Sequence, residues 1–230
     1  MSKQNDNSIQ SPGLARRLRD RTAALHRQAQ RTGIMRDILR RQATATGYAL
    51  LLRNLWPAYS ELERGLDRLR ASPGVGRFAR PILYRAPAIA RDLAALHGAD
   101  WADRIPLLDA GKTYAARVAE AAAGGGERLI AHAYTRYLGD LNGGQLSGAI
   151  LTKTLGLGPG KNAFFLFQAD PLEQLRADFK ADLDCAGVEV AAVPDVIEEA
   201  AHAFECNIAL SRAVHAAQHI AIPHTGLHKP

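Results

Sequence analysis

The sequence predicts an all-α protein that folds as a single domain. Almost every segment carries apolar residues at spacings of three and four, and no segment alternates as a strand would. The chain has 230 residues, of which 47% are hydrophobic, so it is long enough to bury a core. No Pro/Ser-rich linker or change of composition divides it. These observations favour one bundle of helices.

Local signals place the boundaries of the predicted helices. Gly33 ends the first helix, Thr46 is the expected N-cap of the third, and Pro57 is expected to bend or divide that helix. Three glycines at 124–126 and a turn at 156–160 bound the longest helix. The predicted helices cover residues 12–31, 34–42, 47–69, 80–96, 107–123, 127–155, 171–183 and 194–219.

The longest predicted helix contains three glycines within six residues, Gly139, Gly143 and Gly144. Each glycine inside a helix costs about 1 kcal/mol relative to alanine. A helix that carries this cost usually bends, or lays bare backbone against something flat and large. Asp140 lies among the glycines, and Arg136 precedes it by four residues on the same face. A kinked core helix with an internal salt bridge would explain the same pattern.

Residues 131–145, AHAYTRYLGDLNGGQ, resemble the signature of the haem oxygenases, and the resemblance extends from about Leu14 to Gln218. It implies a bundle in which haem is sandwiched between the first helix and a kinked distal helix. Gly139, Gly143 and Gly144 would form the close-packed wall against haem. Asp140 would hold a water through which protons reach the reacting centre.

His26 is the candidate iron ligand. It shares one face of the first helix with Arg19, Thr22 and Gln30. By itself, a histidine on a helix is more often a surface or core residue than a ligand. Residues 18–29, LRDRTAALHRQA, resemble the opening helix of the family, in which this histidine is the proximal ligand. The family commonly has glutamate where Gln30 stands. Gln30 can still orient the ring, but it would push less electron density towards iron.

The resemblance also implies a distal hydrogen-bond network around Asp140. Its other members would be Tyr59, Tyr114, Arg136 and Asn207, and all four polar types stand at the matching positions. Each tyrosine alone would equally suit a core position, with its ring packed and its hydroxyl bonded to some partner. Finding the whole set together favours the network.

Cations are needed at the mouth of the pocket for the haem propionates. Arg176 and Lys180 are four residues apart on a predicted helix, which puts both on one face, and Arg19 would supply a third cation. A solvated basic face is the alternative for the pair. Ala23 stands where some relatives have another lysine. Thr22 and Phe204 would line the pocket, although Phe204 also suits ordinary core.

Composition constrains partners and location only weakly. The net charge is +6 and the pI is about 9.6, but the arginines are scattered and no nucleic-acid motif appears. An acidic redox partner or an anionic ligand explains the charge equally well. Cys185 and Cys206 match no metal or disulfide spacing, and we find neither a signal peptide nor a membrane-spanning run. We expect a cytoplasmic protein with a disordered segment at 1–13, one domain at 14–220 and a flexible tail at 221–230.

The expected activity is the oxidation of haem, with dioxygen and external electrons, to biliverdin, ferrous iron and carbon monoxide. Haem is then both cofactor and substrate. No nucleotide or flavin fingerprint is present, so a ferredoxin or a flavoprotein reductase is the expected electron donor. A bilin-binding photoreceptor or a biliverdin reductase is a candidate acceptor of the product.

Two other functions are compatible with the sequence. The first is a non-catalytic haem carrier or sensor on the same fold. The second is a di-iron oxidase, for which Glu199 and His202 would supply one half of the ligand set. His215 and His219 also have metal-ligand spacing, but a histidine-rich helix surface explains it better, and His224 and His228 lie in the predicted tail.

Overall fold

The computed structural model describes residues 12–158, 160–169 and 171–219, and no strand occurs among them. The prediction of an all-α domain is confirmed. Residues 1–11 of the expected disordered start, 1–13, and the whole expected flexible tail, 221–230 with His224 and His228, lie outside the described residues. The helices are α1 Leu14–Gln30, α2 Gly33–Leu39, α3 Ala45–Arg68, α4 Ala86–His97, α5 Trp101–Arg104, α6 Asp109–Ala121, α7 Leu129–Ala133, α8 Gly139–Leu155, α9 Leu172–Glu189 and α10 Val193–Ala217.

Two long helices organise the bundle. Helix α3 is central: α4 packs on one part of it and α6 on another. Helix α10 runs across α1, α2, α6 and α7, so it fixes the first helix relative to the second half of the chain. Buried side chains from all of these elements form one hydrophobic core, in which Leu50, Leu62 and Phe179 are completely inaccessible to solvent.

The third helix begins earlier than predicted. Its N-cap is Thr44 rather than Thr46, because the Thr44 hydroxyl accepts a 2.9 Å hydrogen bond from the backbone N–H of Gly47. Helix α3 also continues through Pro57 without a division. Threonines two residues apart offer the same capping group, and only the direction of the chain entering the helix decides between them.

The segment before α4 was wrongly predicted as helix from residue 80. It instead forms two 3₁₀ turns, Val75–Phe78 and Pro81–Leu83, and α4 begins at Ala86. Pro87 lies in the first turn of α4, where a missing N–H breaks no helical hydrogen bond. The short helix α5 was not predicted.

The distal helix is not one continuous helix. Helices α7 and α8 are joined by a π-helical turn at Tyr134–Leu138. The irregularity therefore precedes Gly139, and the three glycines lie in regular helix. A π turn inserts an extra residue into the helical ladder and redirects the faces beyond it. This corrects the expectation that the glycines themselves make the kink.

The junction of α1 and α2 is packed tightly on α10. Gly33 begins α2 with φ +58°, and a Cβ there would overlap the backbone of Ser211. The Ser211 hydroxyl donates to the Thr32 carbonyl at 3.0 Å and accepts from the Met35 N–H at 3.3 Å. Glycine at this position therefore provides both the left-handed backbone and the space for α10.

Two further features concern the chain as a whole. None of the described helices is long and apolar enough to cross a membrane. Both cysteines are free: Cys185 is exposed and Cys206 is half-buried.

We expect Gly33→Ala to lower the free energy of unfolding by more than about 2 kcal/mol, because it adds backbone strain and a clash with Ser211. Gly124→Ala is the matched control. Gly124 has φ +60°, but a Cβ there meets nothing within 4 Å, so only the strain of about 1–2 kcal/mol applies. Urea unfolding of the two variants measures the difference. Equal losses would show that the contact with α10 contributes nothing.

Candidate functional site

A cleft of about 470 Å³ lies between α1 and the π turn with α8. This volume is in the range of pockets that hold small molecules and cofactors. Helix α1 forms one wall, the π turn and the start of α8 form the other, and α9 and α10 each contribute one residue. The lining residues are Ala15, Arg16, Arg19, Thr22, Ala23, His26, Arg27, Tyr134, Thr135, Leu138, Gly139, Asn142, Lys180 and Phe204.

His26 stands on the α1 wall. Its side chain is exposed to the cleft, and the edge of its ring packs near Phe204, with ring centroids 6.0 Å apart. Among the described residues, no hydrogen bond joins His26 to Gln30, although Gln30 is one turn further along α1. The imidazole can therefore present a ring nitrogen to a metal ion in the cleft.

Helix α8 presents bare backbone at the opposite wall and beyond it. Gly139, Asn142, Gly143 and Leu146 share one exposed face of α8, and a Cβ at Gly139 or Gly143 would meet nothing within 4 Å. Leu146 is 61% exposed, which is unusual for leucine. A broad, flat, apolar group would cover this face, and an iron porphyrin meets that description.

Gly144 does not belong to this wall. It is buried on the other side of α8, where a Cβ would lie 3.5 Å from the ring of Phe165. The three glycines were expected to act together. The helical period separates Gly144 from Gly143 by about 100°, so it faces the protein interior.

Behind the glycine wall lies a buried polar network. The Tyr59 hydroxyl donates to Oδ2 of Asp140, and Nε of Arg136 donates to the Tyr59 oxygen at 3.0 Å. Nη1 of Arg136 donates to Oδ1 of Asn207 at 2.6 Å, and its Nη2 lies 3.5 Å from Oδ1 of Asp140. Side chains from α3, the π turn, α8 and α10 therefore meet around one guanidinium.

Tyr114 joins this network less directly. It is fully buried, and its ring lies 5.9 Å from the ring of His132. Its hydroxyl makes no hydrogen bond of normal geometry within the described part of the chain. Burial raises the pKa of Tyr114, and the nearby Arg136 partly opposes that rise.

The network controls the protonation of Asp140. Burial raises the pKa of the Asp140 carboxyl, while the charge of Arg136 and the hydrogen bond from Tyr59 oppose this. Burial likewise raises the pKa of Tyr59 well above its ordinary value. Burial alone would lower the pKa of Arg136, but Tyr59 and Asp140 hold it above the usual range. Burial and the neighbouring cation therefore act in opposite directions on the pKa of the Asp140 carboxyl.

The structure separates the predicted pair of cations on α9. Lys180 lines the cleft together with Arg19, but Arg176 does not. Arg176 is half-buried, and its Nε donates to the Leu141 carbonyl at 2.9 Å, so it ties α9 to α8. Spacing put both residues on one face of α9. The neighbouring helix decides which of them reaches the cleft.

Sequence reasoning missed several residues of the cleft. Arg16 and Arg27 line it from α1, and their positions relative to Arg19 and His26 were the available signal. Thr22, which was predicted to line the pocket, is buried at the back of the cleft, where its hydroxyl donates to the Leu18 carbonyl at 2.7 Å. It also shares a 3.1 Å hydrogen bond with the hydroxyl of Tyr134, the first residue of the π turn. Thr135, Leu138 and Asn142 of the facing wall were not predicted either.

The alternative metal site is contradicted by the structure. Glu199 is buried and accepts hydrogen bonds from Arg117 at 2.6 Å and from Nε2 of His132 at 2.9 Å. His202 is exposed and bonds Glu205 instead. Within the described ranges, no three histidine, cysteine, aspartate or glutamate residues converge on a metal position. Glu199 therefore holds α6 and α7 against α10.

The histidine pair near the end of α10 is also no metal site. Nδ1 of His215 lies 2.5 Å from Oδ2 of Asp37, and Gln218 donates to the same carboxylate at 3.2 Å. His215 therefore links α10 to α2.

Comparisons with known proteins agree with this geometry. The family model described as "Heme oxygenase" matches residues 12–213. Heme oxygenase 1 of Nostoc sp. is 32% identical over 200 residues, which cover 86% of this chain and 84% of that protein. Human heme oxygenase 1 is 36% identical over 205 residues, which cover 86% of this chain and 70% of that protein. The crystal structure of heme oxygenase-1 from Synechocystis sp. in complex with heme gives a TM-score of 0.84 at 28% identity, covering 90% of this chain and 94% of that one.

The Glu199 cluster predicts how stability depends on pH. Although burial opposes it, hydrogen bonds from His132 and Arg117 lower the pKa of Glu199 to about 2, from 4.5. A carboxyl with a lowered pKa contributes stability above its unfolded pKa, and that contribution is lost as pH falls towards the folded value. In the wild-type protein, protonation of Glu199 should lower the free energy of unfolding by on the order of 2 kcal/mol as the pH falls below 4.5. Glu199→Gln should not show this pH-dependent loss. Urea unfolding at pH 4.5 and pH 3 measures it, and an unchanged difference between the two pH values would contradict it.

Proposed function

The chain belongs to the haem oxygenase family, and we propose that it degrades haem with dioxygen and external electrons to biliverdin, ferrous iron and carbon monoxide. The observation that carries the proposal is the cleft itself. An accessible imidazole, His26, stands on one wall, and the bare backbone of Gly139 lies in the other. Gly143 continues the exposed face of α8 beside Gly139, and a Cβ at either glycine would meet nothing within 4 Å. The buried Asp140 network lies directly behind that backbone.

Haem, as the substrate, would be held by contacts of three kinds. His26 would bind the iron through a ring nitrogen, because imidazole is a common ligand of haem iron. Lys180 and Arg19 would pair with the propionates, since both line the cleft. Gly139 and Gly143 would lie against the porphyrin face, and Phe204 would pack at its edge. Haem supplies the iron at which dioxygen is activated.

Asp140 would organise proton delivery for this chemistry by holding an ordered water between its carboxyl and the reacting centre. Its carboxyl is raised in pKa by burial and is bonded to the Tyr59 hydroxyl. Arg136 keeps the ionised form accessible, so the carboxyl can lose a proton and regain it. Asn207 fixes the guanidinium from the far side. A simple haem carrier needs no such network, so the arrangement favours catalysis.

Electrons would come from a separate protein. The family requires an external electron donor, and the sequence contains no nucleotide or flavin fingerprint of its own. A ferredoxin or a flavoprotein reductase is the proposed donor. Arg16 and Arg27 line the cleft together with Arg19, and none of the described acidic side chains lines it. This surface suits an acidic donor.

The test is an aerobic titration with hemin, followed by electrons from ascorbate or from reduced ferredoxin. We expect a stoichiometric Soret band that decays as biliverdin appears. His26→Ala should lose the imidazole-ligated spectrum and regain it with added imidazole, whereas His202→Ala, an exposed control, should not change it. A stable haem complex with a competent donor would point to a carrier, and no haem binding would refute the proposal.

We expect Asp140→Asn to retain hemin affinity and to lower the rate of biliverdin formation by about 10²-fold, because an amide cannot donate and regain the proton. Asp109→Asn is the control, since Asp109 is exposed and forms an ion pair with Lys112, far from the cleft residues in sequence. Single-turnover optical spectra measure both variants. Wild-type rates in the Asp140 variant would remove this carboxyl from the mechanism.

A further inference from the structure

A short aromatic segment, residues 162–167, lies against the back of the site and is held by a carboxylate. Asp92 on α4 is completely buried. Its Oδ1 accepts from the backbone N–H of Ala163 at 2.7 Å, and its Oδ2 accepts from that of Phe164 at 2.8 Å. Both oxygens are thus committed to two consecutive amides at the start of the aromatic segment.

The end of the same segment is held by a cation from the same helix. Arg85, the N-cap of α4, precedes Asp92 by seven residues, which is about two turns and therefore the same face. Its Nη1 donates to the Leu166 carbonyl at 2.8 Å, and its guanidinium lies 4.0 Å from the centroid of the Phe167 ring. Its other nitrogens donate to the carbonyls of Ile82 and Leu83.

Arg85 is an unusual cation for a protein core. It is only 6% exposed, yet within the described residues every hydrogen bond from its guanidinium goes to a neutral backbone carbonyl. The charges of Asp140 and Glu63 favour the charged form of Arg85, but neither carboxylate bonds its guanidinium. Burying a charge that has no carboxylate bonded to it is costly. The planar guanidinium donates in fixed directions, so its three hydrogen bonds hold the aromatic segment in one position relative to residues 82 and 83.

The aromatic segment contacts two parts of the proton network. The Phe164 ring packs edge-on against the Tyr59 ring, with centroids 5.7 Å apart. Phe165 fills the space that Gly144 and Gly148 leave on α8, where a Cβ at Gly148 would come within 2.8 Å of it. The segment thus touches both the residue that donates to Asp140 and the helix that carries Asp140.

A carboxylate on α3 holds the start of α4 in place. Oε1 of Glu63 accepts from the backbone N–H of Arg85 at 2.5 Å and from that of Ala86 at 3.0 Å, so it holds the start of α4. Glu63 follows Tyr59 by one turn on α3. Helix α3 therefore fixes α4, α4 fixes the segment, and the segment packs back on Tyr59.

We infer that Asp92 and Arg85 are positioning residues for the Tyr59–Asp140 hydrogen bond. Neither lines the cleft, so neither contacts the bound substrate. They act through the aromatic segment, which holds the Tyr59 ring and α8 at the separation that the hydrogen bond requires. The inference rests on the proposed function and adds to it the groups that set the geometry of proton delivery.

The test compares Asp92→Asn and Arg85→Lys with Glu127→Gln. Glu127 is the matched control, because its carboxylate also accepts from two consecutive amides, Ala191 at 3.2 Å and Ala192 at 2.9 Å, but at the start of α10. Each full-length variant is titrated with hemin and assayed for biliverdin. The hydroxyl proton of Tyr59 is followed by ¹H NMR in the protein without haem and is assigned by its absence in Tyr59→Phe.

We expect both α4 variants to bind hemin within about twofold of wild type and to form biliverdin at least about fivefold more slowly, because small displacements of a proton donor are costly. The Tyr59 hydroxyl resonance should shift or vanish in both and persist in Glu127→Gln. An unchanged resonance and rate in both α4 variants would overturn the inference, as would equal effects in the control.

The two failures are distinguishable. If wild type neither binds nor degrades haem, the proposed function fails. The NMR comparison still tests whether Asp92 and Arg85 position the Tyr59–Asp140 hydrogen bond. If Asp92→Asn loses its cooperative thermal transition, Arg85→Lys decides, because it keeps the buried charge and loses only the fork.

Discussion

The guanidinium of Arg136 is the buried charge on which the site depends. It is only 9% exposed, and three different helices provide its partners: Tyr59 from α3, Asp140 from α8 and Asn207 from α10. Burying a cation to this extent is costly, and these polar and charged partners offset the cost. Its presence therefore fixes the relative positions of α3, α8 and α10. The same charge opposes the rise in the pKa of Asp140 that burial causes. One guanidinium therefore influences both the packing of the helices and the protonation of Asp140.

The π turn makes this arrangement compatible with a cleft. Arg136 and Tyr137 are inside it and are buried, whereas Gly139 directly after it is exposed. An extra residue in the helical ladder shifts the faces of α8 relative to those of α7. As a result, Asp140 turns towards Tyr59 on α3 while its neighbour Gly139 opens on the cleft. Asp140 and Gly139 therefore lie on different faces of the same helix, one facing the buried network and the other facing the cleft.

The protein surrounds this centre with buried charged groups that hold its own helices and loops rather than substrate. Asp92 and Arg85 hold the aromatic segment, Glu63 holds the start of α4, and Glu199 holds α6 and α7 against α10. Burial raises the pKa of Glu63 to about 7, whereas hydrogen bonds from His132 and Arg117 lower that of Glu199. The difference arises because Glu63 receives neutral N–H groups, whereas Glu199 also receives hydrogen bonds from cations.

The sequence by itself determined the features that depend on helical period and local chemistry. The all-α class, the shared face of Arg19, Thr22 and His26, and the four-residue spacing of Arg136 and Asp140 all result from 3.6 residues per turn. The tertiary structure decided what each face meets. It placed Lys180 in the cleft and Arg176 on the Leu141 carbonyl, and it turned Gly144 towards Phe165. It also paired Glu199 with Arg117 and His132, rather than with the metal ion that the spacing to His202 could have served. Spacing along a helix fixes direction, but contacts between residues distant in sequence depend on how helices pack, and that is a property of the whole chain.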